Sequence, residues 1–65
     1  NDDVLRMRGE CYFNLKEYSK AIKDYTSAIE MSPEVAPLLR ARAKVYRAMG
    51  KESLAKEDER RAQSY

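Results

Sequence analysis

The sequence predicts an all-α fold, an α-solenoid of two tandem helix-turn-helix units with four antiparallel helices. Three observations predict it. Apolar residues recur at helical spacing in three stretches, without the alternation of a strand, and a fourth carries charged pairs at i, i+4. Pro33 and Gly50 stand where those stretches break. The chain also resembles itself when slid by 34 residues, the mark of a repeat architecture.

The first helix, about residues 3–15, carries Val4, Leu5, Met7, Arg8, Cys11, Tyr12 and Leu15 at helical spacing. Asn1, Asp2 and Asp3 suit its start, as caps and as negative charge near the positive end of the helix dipole. Lys16 and Glu17 make a short break. The second helix, 18–31, runs through Tyr18, Ala21, Ile22, Tyr25, Ala28, Ile29 and Met31, and Ser32-Pro33 stops it because proline cannot continue a helix. The third, 35–49, tolerates Pro37 in its first turn, proceeds through Leu38, Leu39, Ala41, Val45, Tyr46 and Met49, and ends at Gly50. The fourth, 52–64, has Glu52/Lys56 and Glu57/Arg61 in the favourable order for i, i+4 contacts. The units divide as residues 1–33 and 34–65.

The 34-residue offset superposes Leu5 on Leu39, Arg6 on Arg40, Arg8 on Arg42 and Tyr12 on Tyr46. It also superposes Ser19 on Ser53, Ala21 on Ala55, Asp24 on Asp58 and Ala28 on Ala62. With these positions the segment from Leu5 to Pro33 resembles a tetratricopeptide repeat (TPR), through Gly9, Tyr12, Tyr18, Ala21, Tyr25, Ala28 and Pro33. The second copy resembles it through Leu39, Ala43, Tyr46, Gly50, Ala55 and Ala62. Gly9, Ala43, Ala21 and Ala55 are small where paired helices approach closely, and Tyr12 and Tyr46 fill the space between helices. The departures are Leu5 in place of the family's frequent Trp, Arg8 and Arg42 in place of Leu, and Glu59 in place of an aromatic. Arg8 and Arg42 are expected to lay their stems on the core and keep the guanidinium in water.

The resemblance implies that the second helix of one unit packs on the first helix of the next, here Ile22, Tyr25 and Ile29 against Leu38, Ala41 and Val45. The same rule assigns Val4, Met7 and Cys11 to an apolar face that a preceding helix would cover. At the other end, Lys56, Glu59 and Gln63 give the last helix a polar, cap-like face. The chain therefore reads as the C-terminal part of a longer array. Two units fall below the roughly three needed for independent stability, so self-association through Met7 and Cys11 is expected.

Sixty-five residues (7.6 kDa) with 37% charged side chains suit one small soluble domain and exclude a large catalytic architecture. There is no His to act as a base beside a Ser or Cys nucleophile, no phosphate loop and no metal-ligand spacing, so no enzyme, cofactor or metal is expected. The carboxylates read as solvated faces in salt-bridge spacing, and Cys11 as a small buried hydrophobe. The lone Cys and the absence of a long apolar run suggest a reducing aqueous compartment, such as the cytoplasm, and no membrane contact.

Residues 1–32 carry five basic and six acidic side chains, whereas 33–65 carry eight and five, so the overall +2 belongs to the second unit. Arg40, Lys44 and Arg47 stand at i, i+4 and i+7, a basic stripe without an acid in it. The resemblance implies a concave groove on the first helices, with Arg6, Glu10, Phe13 and Asn14 contributed by the first unit and the stripe by the second. A basic groove favours an acidic peptide of a partner protein. The alternative is a structural segment that packs or self-associates through Val4, Met7 and Cys11. Nucleic acid is the weaker reading, because the positive footprint is small and the stripe lacks interleaved aromatics. The Lys, Asn and Arg set by which some TPR domains clamp a chaperone's C-terminal carboxylate is matched only at Arg6, so that activity is not assigned.

Overall fold

The computed structural model describes residues 2–65, and the capping role read for Asn1 lies outside the described residues. Four helices follow one another: α1 (Asp2–Asn14), α2 (Tyr18–Met31), α3 (Ala36–Ala48) and α4 (Glu52–Gln63). Each end lies within one residue of the sequence expectation. Leu15 and Met49 fall into turns because the chain there already reverses direction. Successive helices pack side by side into a slab 29 × 28 × 13 Å, one helix pair laid on the next.

The reversals after α1 and α3 are built alike. Lys16 N–H donates to the Phe13 carbonyl (2.9 Å) and Glu17 N–H to that of Tyr12 (2.8 Å). Gly50 N–H donates to Arg47 (3.0 Å) and Lys51 N–H to Tyr46 (2.8 Å), the same pattern 34 residues on. This closure needs a left-handed residue at its corner. Gly50 supplies it at φ 80°, and Lys16 adopts it at φ 63° despite its Cβ. The α2–α3 junction is different: Pro33 breaks the helix, and Ser32 Oγ accepts from Glu34 N–H (3.0 Å) to shape the turn.

The core lies on the junction the repeat logic names. Ala21, Tyr25 and Ala28 of α2 are buried with Leu38 and Val45 of α3, and Leu5, Tyr12, Phe13, Tyr18, Ile22, Ile29, Ala41 and Met49 pack around them. Between α3 and α4, Leu39 and Ala43 are buried, as are Ala55 and Ala62. Gly9 lets α1 approach Tyr25 closely, since a Cβ there would stand 3.2 Å from the ring carbons.

Three charge expectations are overturned by packing. Asp24 and Asp58 are buried rather than solvated. Arg42 does not keep its guanidinium in water, its side chain being only 12% exposed in a pair with Asp58. On α4, Glu52 turns back to Arg47 instead of Lys56, and Arg61 approaches Asp58 (3.9 Å) rather than Glu57. Arg47 reaches Glu52 across the turn between α3 and α4, and Arg61 lies one turn from the buried Asp58 on its own helix.

Candidate peptide groove and helix faces

Two fork-to-fork ion pairs fix how the helices within each unit meet. Arg8 donates from Nε (2.8 Å) and Nη2 (2.9 Å) to the Asp24 carboxylate, and Arg42 from Nε (2.8 Å) and Nη2 (2.8 Å) to that of Asp58. Both pairs span sixteen residues and join the first helix of a unit to its second. Such bidentate contacts combine strength with directionality. Hydrogen bonding from Arg8 holds the Asp24 carboxyl below its ordinary range against the opposing effect of burial. Arg42 also reaches across the unit boundary, donating from Nη1 to Thr26 Oγ1 (3.1 Å). Sequence reasoning had both coincidences, Arg8 with Arg42 and Asp24 with Asp58, but left them unconnected. Their equal spacing was the signal.

The groove between α1 and α3 brings some of the expected site residues together. Arg6 and Glu10 line a cavity of about 280 Å³ with Met7, Tyr25, Pro37 and Ala41. Arg6 also forms a loose pair with Asp3 (3.5 Å) and borders a smaller hollow beside Asp2, Ser32 and Glu34. This end of the groove is therefore acidic around a single Arg. One turn further along, Lys44 Nζ lies 5.0 Å from the centroid of Phe13, whose ring tilts against Tyr18 at 5.8 Å. Asn14 is exposed one turn beyond Glu10. Arg40 is exposed, and among the described residues no carboxylate pairs with it or with Lys44.

Arg47 leaves the basic stripe. It donates to Glu52 (2.9 Å from Nη2) and Glu59 (2.7 Å from Nη1), so carboxylates from α4 neutralise it. Hydrogen bonds from Arg47 hold both glutamates below their usual carboxylate range. The positions correspond across the offset: Arg47, Glu52 and Glu59 stand where the first unit has Phe13, Tyr18 and Tyr25. An aromatic cluster in one unit is an ion network in the other, and Glu59 meets Arg47 where the family pattern has an aromatic.

On the adjoining outer face of α1, Met7, which also borders the groove cavity, is 62% exposed and Leu15 67%, and Val4 is exposed in line with them. Cys11 is exposed as well, correcting its reading as a buried hydrophobe, because no helix of the described chain lies outside α1. Among the described residues no group of three or more Cys, Asp or Glu side chains could hold a metal ion, and no helix is long and apolar enough to cross a membrane.

Residues 3–35, half of the chain, match the tetratricopeptide repeat family. The chain belongs to that family. No curated protein and no solved structure shows a significant match to it. The family match spans the first TPR unit, and α3–α4 repeat its helices, its turn and its Arg–Asp pair at the offset of 34. Membership carries a general role, that of a scaffold for protein–protein interaction, in a family that is typically non-catalytic.

Proposed function

We propose that the groove of α1 and α3 holds a peptide segment of a partner protein, with the acidic part of that peptide on Arg40 and Lys44. The observation that carries this reading is their availability: both are exposed and outside every ion pair among the described residues, whereas Arg47 is spent on Glu52 and Glu59. Lys44 stands over Phe13, so a carboxylate approaching it also meets an apolar surface. The acidic residues around Arg6 favour the opposite charge on the other end of the peptide. Titrating acidic and charge-neutral synthetic peptides into the chain at two ionic strengths tests this. Arg40→Glu with Lys44→Glu should weaken capture of the acidic peptide and flatten its salt dependence. Unchanged affinity in the folded double variant would remove the groove assignment.

A second reading is favoured by the exposure of Met7, Cys11 and Leu15. In it the outer face of α1 packs against another helix, and the segment serves assembly, including self-association. Nucleic acid is the weaker reading, since Arg40 and Lys44 lie beside a groove whose other end is acidic.

A further inference from the structure

Each residue on the outer face of α1 has an equivalent on α3 that is already covered, and the comparison describes what a covering helix must offer. Cys11 is exposed, whereas its equivalent Val45 is 1% exposed beneath α2. Met7 corresponds to Ala41 and Leu15 to Met49, and both α3 residues pack against the core. Arg8 is 57% exposed and its equivalent Arg42 is 12% exposed, although each grips its own Asp identically. The difference at Arg42 includes one hydrogen bond, Nη1 to Thr26 Oγ1 at 3.1 Å, made to the covering helix. Arg8 uses Nε and Nη2 on Asp24 and has no acceptor at Nη1 among the described residues.

We infer that the outer face of α1 receives a partner helix with an aliphatic stripe and a hydroxyl residue, Ser or Thr, that accepts from Arg8 Nη1. The inference rests on the second reading above and adds the chemistry that selects the helix. The template is α2 itself, which seats on α3 through Ile22, Tyr25 and Ile29 and offers Thr26 to Arg42. A second copy of the chain stacked head to tail is disfavoured, because the residues α4 would present at those four positions are Lys56, Glu59, Arg60 and Gln63. Arg60 would face Arg8, a like-charge contact at the point where an acceptor is needed. Glu59 is held by Arg47. The occupant is thus a helix of another sequence, recognised by shape, apolarity and one hydroxyl.

Cys11 is the single cysteine of the chain and sits within this face, so its reactivity toward a thiol reagent reports coverage directly. The probes are synthetic peptides of residues 17–32, in the native sequence and with Thr26→Val or Thr26→Arg, added to the full chain. The native peptide should slow Cys11 modification saturably. Thr26→Val should bind about tenfold more weakly, the loss expected for a hydrogen bond to a charged donor, and Thr26→Arg should bind weakest. Met7→Glu in the chain, a change at an exposed position checked by circular dichroism, should abolish the peptide's binding. Equal binding of all three peptides, with Cys11 protected, would overturn the hydroxyl selection while leaving helix packing on α1 intact. Binding that leaves Cys11 reactive or ignores Met7→Glu, or no binding at all, would overturn the inference together with the second reading. Cys11 protection that appears with rising concentration of the chain alone would make a second copy the occupant and overturn it too.

Discussion

Lys16 and Gly50 occupy the same corner of the same turn, one at φ 63° and the other at φ 80°. A side chain with a Cβ pays roughly 1 kcal/mol for that conformation, whereas glycine adopts it freely. Lys16→Gly should therefore raise stability by about 0.5–1 kcal/mol, and Gly50→Ala should lower it by a similar amount. Urea denaturation checks both, with a shift of midpoint at unchanged slope. The sequence shows Lys16 only as part of a break between helices. Its alignment on Gly50 was the clue to its backbone conformation, but propensity alone would never assign a lysine there. Gly9 is the opposite case: its need for smallness was legible from the family pattern, and the Tyr25 ring 3.2 Å from a notional Cβ supplies the physical reason.

Between elements, the paired Arg–Asp forks carry unequal weight. The Arg42–Asp58 fork is shielded, whereas Arg8 stands largely in solvent. Removing one partner of a buried pair strands the other, at a cost of about 3 kcal/mol or more. Asp58→Ala should accordingly unfold much of the population, since a chain of this size has only a few kcal/mol in total. Asp24→Ala should lower the melting temperature less, because water screens the Arg8 it leaves behind. Thermal melts followed by circular dichroism compare the two. Asp24 also sets a pH dependence. Its folded carboxyl titrates below the ordinary value of 3.8, so on acidification the unfolded chain takes up the proton first. Stability is full above that value and falls as pH drops through it toward the lower folded value. The loss should be shallower in Asp24→Asn, with Glu52 and Glu59 contributing in the same direction in both proteins. Stability curves at a series of acidic pH values would show it.

At the scale of the whole molecule, the two outer faces of the slab are unlike. One carries Met7, Cys11 and Leu15; the other carries Lys56, Glu59, Arg60 and Gln63. A heterologous contact between such faces would build open chains if they matched. Converting the α4 residues to their α2 counterparts, Lys56→Ile, Glu59→Tyr, Arg60→Thr and Gln63→Ile, should make them match. Sedimentation velocity should then reveal oligomers growing with concentration, and a further Met7→Glu should reverse them. The groove shares this polarity: basic at Arg40 and Lys44, acidic around Arg6.

The sequence by itself determined the four helices, the offset of 34, the α2–α3 junction and the outward placement of Val4 and Met7 on α1. All of these follow from spacing along one helix or from repetition, and a linear reading captures both. Only the tertiary structure decided which charges are available. Arg47 belongs to the basic stripe by its position on α3, yet it pairs with Glu52 and Glu59 across the turn. Asp24 and Asp58 look like ordinary surface acids until an Arg sixteen residues earlier is folded against them. The physical reason is common to these cases: an ion pair depends on distance and burial between helices, and those are set by packing rather than by the period of any one helix.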